Sequence, residues 1–173
     1  QPQFKDSPLN DVRVREALSL AIDRQQIIDH VMYGQASWPM PFASFGYSVD
    51  MDAERWMQWS RHALRYDPGR AKQLLAEAGF PGGKGFPKML LLYNSSEAHR
   101  RMAEVIQQMW KQNLGIDIEL ANEEWKVYLK SAQEMEYDIC RAGWIGDYPD
   151  ANTFLDMWLT DGGNNYTGFA SPE

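Results

Sequence analysis

The chain has 173 residues, of which 44% are hydrophobic and 24% charged, a composition typical of one globular domain with a real core. Its formal net charge of −7 excludes nucleic acid as an expected partner, because a field of that sign repels phosphate backbones. The single cysteine, Cys140, excludes an internal disulfide and a cysteine-based metal site, and we interpret it as a small core residue.

The clearest helical period covers residues 11–33. Its apolar stripe consists of Val14, Ala17, Leu18, Ala21, Ile22, Ile28, Val31 and Met32. Asn10 or Asp11 can cap the start, and Gly34 follows the end as a left-handed stop. We predict a single helix here.

Residues 35–66 show no period, because Pro39, Pro41, Gly46 and many aromatic residues interrupt it. We predict an irregular loop insertion, with at most a brief helical turn around Trp56 and Trp59. Irregular stretches of this length are commonly functional or pack against another domain.

The remaining elements alternate between helix and strand. We predict a helix starting at Asp67-Pro68, a buried strand at 88–93, a helix capped by Ser95 or Ser96 and ended by Gly115, a half-exposed strand at 116–121, a short helix capped by Asn122, a strand at 137–144, and a last helix capped by Asp150. Such alternation predicts an α/β domain with a largely parallel sheet flanked by helices.

Four segments carry a family resemblance. They are VRVREALSLAIDR at 12–24, AKQLLAEAGF at 71–80, LYNSSEAH at 92–99 and RAGWIGDY at 141–148. In this order and spacing they resemble the bacterial periplasmic oligopeptide- and dipeptide-binding proteins, the solute-binding components of ABC-type peptide importers. The likeness covers nearly the whole chain.

The resemblance implies a periplasmic-binding-protein-like lobe. Members of that family are longer and two-lobed, so we expect residues 1–173 to be one domain, a partial C-terminal lobe of a longer protein. It further implies a short peptide ligand, membrane permease subunits as partners, a monomeric intact protein, no cofactor or metal, and no enzymatic activity. The expected location is periplasmic, or extracytoplasmic with a lipid anchor in a Gram-positive host.

Asp147 is the leading candidate for ligand contact. It follows the strand predicted at 137–144, and open α/β sheets bind ligands beyond the carboxyl ends of their strands. From the residues alone, a role in stabilising the Gly-Asp-Tyr-Pro turn is the better explanation. The family resemblance instead implies that Asp147 pairs with the α-ammonium group of the peptide.

The resemblance implies roles for six further residues. Trp144 would wall a side-chain pocket, Arg141 and His99 would receive the peptide carboxylate, Gly143 and Ile145 would offer backbone groups, and Asn94 would add a polar contact. The residues themselves leave simpler explanations open. Trp144 can be a core residue, Arg141 can pair with a neighbouring acid, and His99 can lie on a helix surface.

Other functions remain as alternatives. Asp147 and Asp150, with Glu123 or Glu124, can be imagined as the carboxylate pair of a glycoside hydrolase, although Asp150 is better explained as a helix cap. A plain interaction domain would use 35–66 as its docking surface. Within the same family the ligand can also be a dipeptide, a cell-wall peptide or a metal chelate.

Overall fold

A computed structural model describes residues 5–34 and 52–170. Its elements are α1 (Val12–Leu20), α2 (Arg24–Gln26, continued by a π-helical turn at Ile27–Val31), α3 (Ala53–Ala63), α4 (Pro68–Glu77), β1 (Met89–Asn94), α5 (Glu97–Leu114), β2 (Ile118–Glu123), α6 (Trp125–Gln133), β3 (Ile139–Cys140) and α7 (Asn152–Leu155). Short 3₁₀ turns lie at Pro8–Asn10, Pro81–Gly83 and Asp156–Trp158. No helix within these residues is long and apolar enough to cross a bilayer.

The three strands form one parallel sheet in the order β2-β1-β3. Helix α5 connects β1 to β2, and α6 connects β2 to β3, as parallel pairing requires. The predicted α/β class with a parallel sheet flanked by helices is therefore confirmed. Because all strands run the same way, their carboxyl ends share one side of the sheet, which we call the carboxyl edge (Asn94, Glu123 and the chain from Cys140 onward).

Strand β1 is covered on both faces, as its continuous apolar sequence predicted. Met89, Leu91 and Tyr93 join the main core with α1, α4 and α5. Leu92, only 1% exposed, points the other way and packs against Tyr128 of α6. The central strand is thus held between two apolar layers, which fixes the position of the carboxyl edge.

The single helix predicted at 11–33 is wrong, because the structure divides it after Leu20. The Asp11 side chain caps α1 by accepting from the Arg13 amide at 2.9 Å, as predicted. Asp23 then caps a second start, α2, by accepting from the Gln26 amide at 3.0 Å. The apolar stripe shifts accordingly, so that the second part buries Ile27 rather than Ile28.

The irregular stretch was predicted at 35–66, and residues 35–51 of it lie outside the described residues. The part that follows contains α3, eleven residues long, where the sequence predicted only a brief turn. Asp52 caps this helix by accepting from the Arg55 amide at 2.8 Å. No glycine or proline interrupts residues 53–63, so the local sequence permits the longer helix.

The junction between β2 and α6 differs from the prediction. Asn122 belongs to β2, where its side chain accepts from the Ser95 hydroxyl at 3.0 Å. Glu124 caps α6 instead, accepting from the Lys126 amide at 2.9 Å. The reason is that β1 extends to Asn94, whose pairing with Glu123 keeps two further residues in the sheet.

The strand predicted at 137–144 pairs over Ile139–Cys140 only. The Arg141 amide still donates to the Leu92 carbonyl at 2.8 Å. The Arg141 carbonyl, however, accepts from the Tyr128 hydroxyl at 2.7 Å, and the chain then leaves the sheet. The last helix is also short, and its N-cap is Ala151 rather than the predicted Asp150. The Asp150 carboxylate accepts from the Asn152 amide, at the first residue of α7, at 2.8 Å.

Candidate ligand-binding site

Three of the predicted contact residues meet at the carboxyl edge. Asn94 is the last residue of β1, His99 lies in the first turn of α5, and Arg141 directly follows β3. All three are partly buried. Ligands of parallel α/β sheets bind in this region, because the loops and helix starts there converge on the ends of the strands.

The side chain and backbone of Asn94 connect this group. Its Oδ1 accepts from Nη1 of Arg141 at 3.5 Å, and its carbonyl oxygen lies 3.2 Å from Nδ1 of His99. A carbonyl can only accept, so Nδ1 of His99 carries the proton in this contact. Nε2 is the ring nitrogen left for a partner, and the ring is oriented rather than free on a helix surface.

Arg141 is held without a neutralising partner among the described residues. No carboxylate of 5–34 or 52–170 lies within 4.0 Å of its guanidinium group, so the alternative of an acidic neighbour finds no support there. The guanidinium instead lies over Gly143, where an added Cβ would be 3.4 Å from both terminal nitrogens. A partly buried, uncompensated cation is suited to binding an anion.

Asp147 is exposed, and its backbone rather than its carboxylate is anchored. The Asp147 amide donates to Oγ1 of Thr153 at 2.9 Å, and Thr153 is only 1% exposed. Within the described chain the carboxylate accepts no hydrogen bond and forms no ion pair. The turn is therefore fixed by Thr153 and Asp150, and it does not use the Asp147 side chain.

Gly146 permits this anchoring. A Cβ at that position would lie 3.1 Å from the Thr153 methyl group and 3.1 Å from the Phe154 ring. The absence of a side chain lets the segment before Asp147 pack directly onto α7. The backbone position of Asp147 is thus held by its own amide and by the packing of Gly146.

The other predicted residues lie between Arg141 and Asp147. Trp144 is partly buried, and its buried Nε1 has no acceptor among the described residues. Ile145 is 90% exposed and Gly143 is exposed. Because the backbone of 142–146 is outside the sheet ladder, its groups are accessible for pairing with an extended ligand.

Sequence analysis missed the roles of Tyr128 and Thr153. Tyr128 looked like one apolar position of a helix, yet its hydroxyl bonds the Arg141 carbonyl and lies 3.4 Å from the Cys140 sulfur. Burial raises the pKa of Tyr128 far above its ordinary value, and burial likewise raises the pKa of Cys140. No local sequence motif marks the hydroxyl groups of Tyr128 and Thr153. The partner of Tyr128 is 13 residues away, and the partner of Thr153 lies outside α7.

No group of three or more His, Cys, Asp or Glu side chains within 5–34 and 52–170 is arranged to hold a metal ion. The chemistry of the edge is that of polar recognition. An exposed anion, Asp147, and a cation, Arg141, belong to one segment, with amide and imidazole groups beside the cation. Such a set can bind a zwitterionic ligand through charge-assisted hydrogen bonds.

Comparison with known families gives one match. The model of the bacterial extracellular solute-binding proteins, family 5 (middle part), matches residues 1–166. This range includes every residue of the candidate site.

Known proteins similar to the chain include the periplasmic oligopeptide-binding protein of Salmonella typhimurium, 38% identical over 96% of the chain. The solved structure of the murein tripeptide-binding protein of Escherichia coli has a TM-score of 0.78 at 36% identity, over 98% of this chain and 33% of that one. The oligopeptide-binding protein of Haemophilus influenzae, solved in complex with the peptide RPPGFSPFR, has a TM-score of 0.78 at 34% identity and the same coverage. The chain spans about 30% of the length of the curated relative from Salmonella.

Proposed function

The chain belongs to the bacterial extracellular solute-binding proteins of family 5, and on that premise we propose that it forms part of the peptide-capturing component of an ABC importer. The protein would bind short peptides in a cleft between two lobes, and this chain would supply one wall of that cleft at its carboxyl edge. The relatives named as oligopeptide-binding proteins support a peptide ligand.

The observation that carries the proposal is the state of Asp147. Its backbone is anchored to a buried threonine, while its exposed carboxylate has no partner among the described residues. A carboxylate with an anchored backbone and no partner among the described residues is suited to bind a cation of the ligand. We propose that this cation is the peptide α-ammonium group. One charge-assisted hydrogen bond of this kind contributes about 1.5–3 kcal/mol.

The opposite end of a peptide needs a positive charge. Arg141, with Asn94 and His99 beside it, would receive the carboxylate of peptides of suitable length. Between the two ends, Gly143 and Ile145 would pair with the peptide backbone, and Trp144 would line a side-chain pocket. Recognition through the backbone and the termini tolerates many side chains, as a general peptide importer requires.

The named relatives favour a binding role over a hydrolase. Of the four carboxylates considered for glycoside cleavage, Asp150 accepts from the Asn152 amide and Glu124 caps α6, which leaves Asp147 and Glu123. The relatives named above are binding proteins, and we propose the same non-enzymatic role, an extracytoplasmic location and permease subunits as partners.

The proposal is tested by isothermal titration calorimetry on the full-length protein with a pool of tri- to pentapeptides. We expect binding heat from the wild type and at least about a tenfold loss of affinity in Asp147→Asn, which keeps the size of the side chain but removes its charge. The control is Asp161→Asn, which makes the same charge change at an exposed residue outside 141–147 and is expected to bind like the wild type.

Peptides acetylated at the amino terminus give a second control, since they lack the ammonium group. Their affinity should be weak and equal in the wild type and Asp147→Asn. A folded, ligand-free wild type that releases no heat with any peptide would overturn the peptide proposal. Binding of murein tripeptide alone would instead assign the chain to cell-wall peptides, the ligand named for the Escherichia coli relative.

A further inference from the structure

Glu123 places a second carboxylate at the carboxyl edge, and its position is fixed by the sheet. It is the last residue of β2 and pairs in register with Asn94 of β1. Its carbonyl accepts from the Ser95 amide at 2.8 Å and from the Ser95 hydroxyl at 3.0 Å. The backbone of Glu123 is therefore held as firmly as that of a residue inside the strand.

One oxygen of this carboxylate is anomalous. Oε2 of Glu123 is buried, yet no residue of 5–34 or 52–170 donates a hydrogen bond to it. A buried carboxylate oxygen that accepts nothing is costly, because it has lost water without gaining a donor. Such an atom calls for a donor that the described residues do not supply.

Register shows on which side of the sheet the carboxylate lies. Partners in a parallel ladder point to the same face, so Glu123 shares a face with Asn94. Two positions earlier on each strand, Ala121 and Leu92 pack on this face with Cys140 and α6. Glu123 thus stands directly above an apolar layer and beside the Asn94 side chain that Arg141 contacts.

The order across the edge is anion, amide, cation. Glu123 lies at the end of β2, Asn94 at the end of β1, and Arg141 directly after β3. Because Cys140 pairs with Leu92, Arg141 stands level with Tyr93, and its guanidinium reaches the Asn94 side chain at 3.5 Å. Adjacent strands are about 4.8 Å apart, so the Glu123 and Arg141 backbones are about 10 Å apart with strand β1 between them. A ligand carboxylate on Arg141 would therefore leave a basic side chain of the same ligand within reach of Glu123.

We propose that Glu123 is a specificity-determining residue that favours peptides with a lysine or arginine side chain at, or next to, the carboxyl-terminal residue. This inference rests on the proposed peptide-binding function and adds a side-chain preference to it. The ligand cation pairs with the Glu123 carboxylate, because the residue is partly exposed and its Oε2 lacks a donor among the described residues. A charge-assisted bond at a partly buried position discriminates strongly, because the alternative leaves that oxygen unsatisfied.

The test compares matched peptides on matched variants of the full-length protein by calorimetry. The peptides are Ala-Ala-Lys, Ala-Ala-norleucine, Ala-Lys-Ala and Ala-norleucine-Ala, in which norleucine keeps the chain of lysine and removes its ammonium group. The variants are Glu123→Gln and Glu119→Gln. Glu119 lies on the same strand, is exposed and pairs with Lys88 at 3.0 Å, so its variant controls for the change in net charge.

We expect the wild type and Glu119→Gln to bind at least one lysine peptide about tenfold more tightly than its norleucine partner. In Glu123→Gln the ratio should fall below about threefold, mainly through weaker binding of the lysine peptide. If the ratio is unchanged and only the urea midpoint falls, the partner of Glu123 belongs to the protein and the inference is wrong. If no peptide binds the wild type at all, the peptide function itself fails, which is a different result.

Discussion

Thr153 acts on the candidate site through one hydrogen bond. Thr153 is a buried residue of α7, and its hydroxyl accepts from the amide of Asp147, the residue proposed to bind the ligand ammonium group. This acceptor therefore helps to fix the backbone from which the exposed Asp147 carboxylate extends. Thr153 is a positioning residue, since nothing places it in contact with the ligand.

Replacing Thr153 with valine should loosen Asp147 while preserving the shape of the core. Valine removes the acceptor and leaves the partly buried Asp147 amide without its partner, which costs at most about 1–3 kcal/mol. We expect about a tenfold loss of affinity for peptides with a free amino terminus and no change for their N-acetylated forms. Thr153→Ser keeps the hydroxyl and should restore most of the affinity; equal losses for free and acetylated peptides would show a merely structural role.

Ionisation of Tyr137 should lower the stability of the fold at alkaline pH. Burial, and to a lesser degree the nearby Cys140, raises the pKa of Tyr137 from 10.0 to about 12, and its hydroxyl donates to the Tyr166 carbonyl at 2.7 Å. The unfolded chain therefore ionises first. The stabilisation is complete below pH about 10 and is lost as the pH rises towards about 12.

Urea midpoints measured from pH about 9 to about 11.5 should fall more steeply for the wild type than for Tyr137→Phe. The urea midpoint of Tyr137→Phe should still fall as the pH rises, but less steeply, because burial also raises the pKa of Tyr128 and Cys140. Equal slopes in the two proteins would mean that Tyr137 does not contribute to the alkaline transition.

At the scale of elements, two glycines join the turns on the side of the sheet opposite the carboxyl edge. Gly83, between α4 and β1, has a φ of +79°, and an added Cβ would lie 2.5 Å from the Gly115 carbonyl oxygen. Gly115 ends α5 with a φ of +73°, as the sequence predicted for a left-handed stop. The two loops touch backbone to backbone, which leaves no room for a side chain.

The variant Gly83→Ala should therefore be far more destabilising than Gly85→Ala. Gly85 has almost the same φ, +78°, but an added Cβ meets nothing within 4 Å. We expect Gly85→Ala to lower the free energy of unfolding by about 1–2 kcal/mol, the cost of the left-handed backbone alone. Gly83→Ala should lose at least about 2 kcal/mol more in urea titrations, because the overlap is with rigid backbone; similar losses would argue that the loops separate easily.

At the scale of the whole molecule, the proposed capture of a peptide between two lobes predicts a change in their separation. Ligand binding shifts an equilibrium between open and closed forms only if the closed form binds more tightly. We expect the radius of gyration of the full-length protein, measured by small-angle X-ray scattering, to fall when a tight-binding peptide is added. Asp147→Asn at the same peptide concentration should remain more open, and a scattering profile that peptide leaves unchanged would contradict the closure mechanism.

Much of the architecture could be read from the sequence. The continuous apolar run of β1, the alternation in β2 and the caps at Asp67 and Gly115 predicted the elements, because periodicity and capping depend on near neighbours. The parallel sheet followed from their alternation. The family resemblance of four segments also predicted contact roles for Asp147, Arg141 and His99, which stay predictions.

The tertiary structure alone decided where elements end and which polar groups meet. The break after Leu20, where the Asp67 amide donates to the Leu20 carbonyl at 2.9 Å, and the early end of β3 at the Tyr128 hydroxyl depend on partners 47 and 13 residues away. The unpaired oxygen of Glu123 and the anchoring of Asp147 by Thr153 likewise emerge only when strands and helices are brought together. Local patterns carry no information on such contacts, because a hydrogen bond to a distant group is set by packing.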